Sequence, residues 1–190
     1  MEVIARQQFL DSKARYFRKI LDGAVFIYPT DTIYGIGCDA TNSAAVDRVR
    51  SAKKRDAKPF SVAVPSKEWI RSNCVITGSA EAWLKKLPGP YTLLLELKNK
   101  DAVAEAVHPN TEILGIRMPK NWLAAEMQEL GIPLVSTSAN ITKKKHMTSL
   151  RDLDESVASA VDFIIYEGEK AASPSTIIRF SSGKAEIIRR

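Results

Sequence analysis

Short polar stretches rich in hydroxyl and cationic side chains follow apolar runs at several places in this 190-residue chain. They are PTDTIYG (29–35), KKRDAKP (53–59), Arg117 after LGI, STSAN (136–140) and SPST (173–176). Arginine at the end of a buried strand is costly unless it pairs with an anion, so Arg117 predicts a carboxylate or phosphate partner. STSAN alone is typical of a capped turn. Several such loops beside the Lys53-Lys54-Arg55 cluster, however, predict an anion-binding pocket.

The first of these loops lies in residues 25–40, VFIYPTDTIYGIGCDA. Val25–Tyr28 predicts a short buried strand, followed by a polar loop, two glycines and a helix. Open α/β sheets bind ligands at such strand ends. Residues 35–40 also fit G-x-G-x-x-A, but a dinucleotide site needs its first glycine directly after the strand, and PTDTIY intervenes. We therefore interpret Gly35 and Gly37 as residues that allow turning and close packing.

Several common catalytic and metal-binding motifs are missing from the sequence. It contains no GxxxxGK[ST], HExxH or GxSxG, which argues against a P-loop, a zincin or an α/β-hydrolase. Cys38 and Cys74 form no CxxC motif, and the two histidines are far apart. We expect neither a protein-held metal site nor a covalent nucleophile.

The composition is ordinary for a globular protein, with 45% hydrophobic and 26% charged residues. A net charge of +6 is compatible with anionic ligands such as nucleotides or RNA, although many enzymes carry a similar charge. The apolar runs are too short to cross a bilayer, and the N-terminus lacks a secretory signal. We expect a cytoplasmic protein with no membrane partner.

The hydrophobic pattern predicts alternating strands and helices, with strands clustered at the end of the chain. Helices are expected over residues 5–22 (ended by Gly23), 43–52 (started by Thr41, Asn42 and Ser43), around Trp69 (capped by Ser66), 79–86 (capped by Ser79), 101–107 as a helical turn, 122–130 (ended by Gly131) and 152–160. Strands are expected at 25–28, 60–64, 92–97, 114–118, from Leu134, 163–166, 176–180 and 185–188. This pattern indicates one α/β domain over residues 1–190, with a twisted mixed sheet flanked by helices.

The ordered combination YPTDTIYGIGCDA, KKR…KPF, GIRMP, STSAN and SPSTII resembles the YrdC family, the threonylcarbamoyl-AMP synthase family, over nearly the whole chain. The resemblance implies a large concave cavity with a positively charged lining. It also implies the synthesis of threonylcarbamoyl-adenylate and pyrophosphate from L-threonine, bicarbonate and ATP. A separate transferase complex would then pass the threonylcarbamoyl group to tRNA, and direct binding of tRNA or double-stranded RNA is a further expectation. The chain would correspond to the short form of the family, with the catalytic domain only.

The resemblance also assigns residues to the two substrates. L-Threonine binding falls on Thr32, Tyr34, Arg117, Ser136 and Ser175. ATP binding falls on Lys53, Arg55, Lys58, Ser138, Asn140 and Arg189, with Lys53 and Arg55 as the catalytic pair. Guanidinium groups suit carboxylates, and cations stabilise charge developing on a departing pyrophosphate. Mg²⁺ would be held mainly by the ATP phosphates.

The chain departs from the family pattern at three positions. The basic loop is one residue shorter between Arg55 and Lys58, Ile141-Thr142-Lys143 replaces the usual Ser-Gly pair after SAN, and Ile113 stands where a threonine or serine is common. These departures keep open a non-catalytic paralogue that binds RNA or nucleotide. A third hypothesis, the carbamoyl-transfer domain of hydrogenase-maturation proteins, is weaker because those chains are longer and carry zinc-binding cysteines.

Overall fold

The computed structural model describes residues 1–181 and 184–188. The strands are β1 (Glu2–Ala5), β2 (Phe26–Pro29), β3 (Tyr34–Gly37), β4 (Ser61–Ala63), β5 (Tyr91–Glu96), β6 (Ile113–Arg117), β7 (Leu134–Ser138), β8 (Phe163–Tyr166), β9 (Thr176–Ser181) and β10 (Lys184–Ile188). The α-helices are α1 (Arg6–Asp11), α2 (Lys13–Leu21), α3 (Ser43–Ala52), α4 (Lys67–Asn73), α5 (Gly78–Leu84), α6 (Trp122–Leu130) and α7 (Glu155–Ala158). Short 3-10 helices cover Lys100–Ala102, Glu105–Val107 and Leu150–Asp152.

The described strands join into a mixed sheet in the order β1-β8-β2-β3-β7-β4-β6-β5-β9-β10. The sheet combines parallel pairs (β1–β8, β2–β8, β4–β6 and β5–β9) with antiparallel ones (β2–β3, β3–β7, β4–β7, β5–β6 and β9–β10). The prediction of an α/β fold with a twisted mixed sheet flanked by helices is therefore confirmed.

The sheet is covered on both faces. In β2, Ile27 belongs to a core that includes Val46 and Val49 of α3, whereas its neighbour Phe26 belongs to a second core that includes Ile20 of α2 and Leu123 of α6. Successive side chains of a strand point to opposite faces. A strand buried on both faces is apolar throughout, which explains the unbroken run that made β2 recognisable in the sequence.

Predicted helix ends agree with the structure where a single residue determines them. Asn42 Oδ1 accepts from Ala45 N at the start of α3, and Ser66 Oγ accepts from Trp69 N at the start of α4. Gly131 ends α6 in the left-handed conformation, with φ of +76°. Ser79, predicted to cap α5, lies inside that helix, which begins at Gly78.

Three elements differ from the predicted pattern. The segment 5–22 is two helices separated at Ser12, and Glu2–Ala5 forms an edge strand that was not predicted. Residues 34–37, expected to be a glycine-containing loop, form β3. A Cβ on Gly37 would lie 2.5 Å from the Val135 carbonyl oxygen and 2.8 Å from Tyr28 Cε1. Close packing is thus the reason for glycine there, in agreement with the interpretation of this residue as a packing device.

Candidate functional site

A cavity of about 290 Å³ opens where the strands at the middle of the sheet meet the polar loops. Its lining includes these predicted site residues: Thr32, Tyr34, Arg55, Arg117, Ser136, Ser138 and Ser175. The volume is close to the lower end of the range for small-molecule sites. Residues up to 147 positions apart in the chain (Thr30 to Ile177) thus meet around one cavity, as the polar-loop pattern predicted.

Arg117 lies at the end of β6 and is 7% exposed. Its Nη2 donates to Asp31 Oδ1 at 3.0 Å and to Thr32 Oγ1 at 3.2 Å. Burial lowers the pKa of the guanidinium, and the adjacent Asp31 carboxylate opposes that change. The predicted anionic partner is therefore present within the chain: it is Asp31, which the sequence reasoning did not assign to the site.

The Arg117–Asp31 pair leaves polar atoms unsatisfied beside the cavity. Arg117 Nε is buried without a hydrogen-bond partner, and so is Ser136 Oγ, at 4% exposure of its residue. Buried donors without partners are uncommon in native proteins and call for an explanation. A bound anion that accepts from the guanidinium would supply one.

The loop that carries Thr32 is held by its own hydrogen bonds. Thr30 Oγ1 accepts from Thr32 N at 3.1 Å and donates to the Ile33 carbonyl at 2.7 Å. Asp31 Oδ2 accepts from Lys120 N at 3.0 Å, which ties the loop to the segment after β6. The arrangement fixes the position of the Asp31 carboxylate and, through it, of Arg117.

Tyr34 forms a wall of the cavity and joins two parts of the chain. Its ring is fully buried and stacks on Tyr166 with centroids 5.7 Å apart. Its hydroxyl donates to the Gly168 carbonyl at 2.7 Å and accepts from Glu167 N at 3.1 Å. Burial raises the pKa of Tyr34 to about 12. The phenol is therefore a neutral anchor for the segment that follows β8.

The serine side chains around the cavity differ in their partners. Ser175 Oγ lies 2.8 Å from Thr92 Oγ1, and both residues are buried. Ser138 Oγ donates to Asn140 Oδ1. Thr92 was not singled out in the sequence because it lies within the apolar strand β5, where a lone threonine is unremarkable. Together these hydroxyls give the cavity a neutral polar lining around Arg117.

Arg55 and Lys53, two cations of the basic stretch 53–59, point to different parts of the protein. Arg55 lines the cavity, donates from Nε to the Lys58 carbonyl at 3.1 Å, and lies 5.1 Å from the Phe60 ring centroid. Lys53 is 1% exposed and turns instead to the STSAN loop. Its ammonium donates to the Ser138 carbonyl, to the Asn140 carbonyl at 2.7 Å and to Asn140 Oδ1 at 3.3 Å.

The electrostatic environment of Lys53 is unusual for a lysine. Burial, and secondarily the charge of Arg55, lower the pKa of Lys53 to about 7. Lys53, Lys58 and Asn140 are not among the lining residues of the cavity. Arg189, expected at the ATP site, lies outside the described residues. The structure thus brings all five expected threonine residues together, whereas of the expected ATP residues that it describes only Arg55 and Ser138 line the same cavity.

The described residues contain neither a cluster suited to a metal ion nor a helix suited to crossing a bilayer. Among residues 1–181 and 184–188, no group of three or more histidine, cysteine, aspartate or glutamate side chains is arranged to hold a metal ion. The described lining of the cavity contains hydroxyl groups but no carboxylate. Within the same part of the chain, no helix has the length and apolar character needed to span a bilayer.

Comparison with known proteins identifies relatives of the whole fold. The Sua5/YciO/YrdC family, described as "Telomere recombination", matches residues 18–190. A putative threonylcarbamoyl-AMP synthase of Methanocaldococcus jannaschii is 36% identical over 175 residues, which are 90% of this chain and 82% of that protein. The threonylcarbamoyl-AMP synthase of Mus musculus is 32% identical over 70% of this chain and 48% of its own length.

Among solved structures, P. abyssi Sua5 complexed with L-threonine has a TM-score of 0.85 at 28% identity. The match covers 99% of this chain and 56% of the Sua5 chain. The chain therefore spans about half the length of the mouse and P. abyssi relatives. Because the family match covers most of the residues and includes those around the cavity, the resemblance carried by the sequence motifs is confirmed: the chain belongs to the Sua5/YciO/YrdC family.

Proposed function

We propose that this protein is an L-threonylcarbamoyladenylate synthase, a nucleotidyltransferase that joins L-threonine, bicarbonate and ATP. The observation that carries the proposal is the buried Arg117 guanidinium, with its unpartnered Nε, at the wall of a cavity lined with hydroxyl groups. Relatives of the chain are named threonylcarbamoyl-AMP synthases, and one relative was solved with L-threonine. We also propose that residues 1–190 form a single domain.

In the proposed threonine pocket, Arg117 pairs with the substrate carboxylate. The guanidinium is held by Asp31, and a fixed guanidinium suits a planar carboxylate. Thr32, Ser136 and Ser175 are positioned to accept from the ammonium or to donate to polar groups of threonine. Tyr34 closes the pocket on one side, and its hydroxyl is anchored by two backbone contacts.

In the proposed ATP site, Arg55 and Ser138 contact the nucleotide from the cavity, and Lys58, Asn140 and Arg189 complete the site. Lys53 supports the site from below the surface by holding the Ser138 and Asn140 carbonyl groups. The chemistry begins with the threonine amine, which combines with bicarbonate to give a carbamate and water. A carbamate oxygen then bonds to the α-phosphorus as the bond to the pyrophosphate oxygen breaks. Arg55 would stabilise the negative charge that develops on the departing pyrophosphate.

Positioning and electrostatics carry the catalysis in this scheme. The two thiols are unsuited to nucleophilic attack, because Cys38 and Cys74 are buried and burial raises the pKa of each. Mg²⁺ would enter with ATP and be held mainly by its phosphates, and the described lining of the cavity contributes no carboxylate to it.

The product would be used by a separate threonylcarbamoyl-transferase complex acting on tRNA in the cytoplasm. The exposed cations Lys54, Lys58, Lys143 and Lys145 lie in the two loops next to the site and suit the phosphates of tRNA or double-stranded RNA. Two buried thiols are compatible with a reducing compartment.

A pyrophosphate assay tests the proposed reaction. Purified protein is incubated with Mg–ATP, bicarbonate and labelled L-threonine, and both pyrophosphate and labelled adenylate are measured. We expect pyrophosphate to appear only with L-threonine and in equal amount to the adenylate, whereas D-threonine serves as the control of matched charge. Nucleotide binding without threonine-dependent pyrophosphate would refute the synthase and favour the non-catalytic paralogue.

A further inference from the structure

We propose that Arg50 is a positioning residue that holds the loop 54–59 and thereby sets the place of Arg55 in the nucleotide site. The inference rests on the proposed function in so far as Arg55 contacts ATP. Arg50 is in the last turn of α3 and does not line the cavity. None of the family motifs includes Arg50, and a basic residue near the C-terminus of a helix is common.

The guanidinium of Arg50 gathers backbone carbonyls from the loop. Its Nη1 donates to the Arg55 carbonyl at 3.2 Å, to the Asp56 carbonyl, and to the Lys58 carbonyl at 3.2 Å. Its Nη2 donates to the Ala106 carbonyl of a neighbouring 3-10 helix. One side chain thus links the loop to two helices, with hydrogen bonds of the stronger, charge-assisted kind.

Arg50 and Arg55 also meet at one aromatic ring. The guanidinium carbon of Arg50 lies 4.6 Å from the Phe60 centroid, and that of Arg55 lies 5.1 Å from it. Phe60 is 1% exposed and lines the cavity. A shift of the Arg50 side chain would therefore move the ring against which Arg55 rests, as well as the backbone that carries Arg55.

The loop has little regular structure to hold it in place. Residues 54–60 lie between α3 and β4, and Lys54 has a φ of +45°, a left-handed conformation that is strained for lysine. Lys54, Arg55 and Lys58 carry charges of the same sign, which favour an open loop, and Asp56 is the single opposite charge among residues 54–59. The hydrogen bonds from Arg50 to these carbonyl groups counteract that tendency. They hold the backbone of the loop in place without involving the charged side chains.

Trypsin offers a readout of this loop that does not depend on catalysis. It cleaves after Lys53, Lys54 and Arg55, whereas the Lys58–Pro59 bond resists it. The test compares Arg50→Met and Arg50→Lys with Arg48→Met. Arg48 serves as the control on the same helix, because it too binds carbonyls, those of Gly23 and Ala160, and it pairs with Asp162, all on the side away from the loop.

We expect Arg50→Met to be cleaved in the loop about tenfold faster than wild type under native conditions, because loss of charge-assisted bonds raises the population of the open loop. The dissociation constant for ATP, measured by calorimetry, should rise by about tenfold, and that for threonine should stay within about twofold. Arg50→Lys replaces the two-armed guanidinium by a single ammonium group. Its cleavage rate and its dissociation constant for ATP should therefore lie between those of wild type and Arg50→Met. Arg48→Met should match wild type in both measurements.

Each outcome decides the inference. Equal cleavage of Arg50→Met and Arg48→Met would overturn it, and so would faster cleavage without loss of ATP affinity. If Arg50→Met does not fold, the comparison of Arg50→Lys with Arg48→Met decides in the same way. A wild-type protein that binds ATP without making adenylate refutes the proposed function but leaves both measurements valid. If it binds no ATP, the cleavage rates alone show whether Arg50 holds the loop, and Arg55 loses its role at the nucleotide.

Discussion

The Arg117–Asp31 pair allows the threonine pocket to be tested separately from protein stability. Arg117→Met alone removes the cation and leaves the Asp31 carboxylate, with 9% of its side chain exposed, without its charged partner. Breaking a buried pair in this way costs about 3–5 kcal/mol. The double variant Arg117→Met/Asp31→Asn removes both charges, and the amide oxygen that it introduces can still accept from Lys120 N as the carboxylate does. We expect the double variant to regain most of the lost stability, to within about 1–2 kcal/mol of wild type.

The same variants should differ little in threonine binding. Both lack the guanidinium, and the loss of a charge-assisted pair with the substrate carboxylate of about 1.5–3 kcal/mol corresponds to an increase in dissociation constant of about 10- to 150-fold. Calorimetry measures the affinities for threonine and ATP, and urea denaturation measures the stability. Asp31→Asn alone serves as the control that keeps Arg117.

Two results would refute this reasoning. If the double variant binds threonine as tightly as wild type, Arg117 is not the partner of the carboxylate. If the affinity for ATP falls as much as that for threonine, the division of the cavity into two subsites is wrong.

Two further predictions concern stability. The Lys53 ammonium has a pKa near 10.5 in the unfolded chain, whereas burial lowers its pKa in the folded protein to about 7. Between these values the unfolded state binds more protons, so the free energy of unfolding should rise with pH by up to about 1.4 kcal/mol per pH unit relative to Lys53→Met. If the free energies of unfolding of wild type and Lys53→Met, measured by urea denaturation, change in parallel from pH 7 to 9, the carbonyl acceptors keep Lys53 charged. For Gly37→Ala, the contact with the Val135 carbonyl should cost about 1–3 kcal/mol, whereas Gly78→Ala, with no atom near its Cβ, should be neutral or stabilising. Equal melting temperatures for the two would contradict this.

The sequence predicted those parts of the fold that depend on local signals. The caps Asn42 and Ser66 and the terminator Gly131 act through atoms within a few residues, so their positions follow from residue type. β1 could not be predicted, because Glu2–Ala5 is short and its partner is β8, about 160 residues away in the chain. β3 was misjudged because glycine disfavours strands, whereas the packing of Tyr28 against Gly35 and Gly37 requires it here.

The site was predictable in its chemistry but not in its contacts. Arg117 was recognised as needing an anion, and the structure supplies Asp31. Nothing in the sequence near Asp31 distinguishes it from a solvent-exposed loop carboxylate. Lys53 was expected to meet phosphate because the family resemblance places it, with Arg55, at the ATP site. Its direction is determined by the STSAN loop, which lies about 85 positions later, and only the tertiary fold brings the two together.

The position of β8 between β1 and β2 has a consequence for how the protein folds during its synthesis. During synthesis from the N-terminus, β2 has no partner on that side until residues 163–166 have emerged, although both of its faces are apolar. Long-range pairing of this kind slows folding, and an exposed apolar edge invites association with other chains. Substrate binding must come later still, since the cavity needs Ser175 as well as Thr32. The nascent chain therefore keeps this apolar edge exposed until most of its residues have been made, and the substrate site is completed only after the edge is covered.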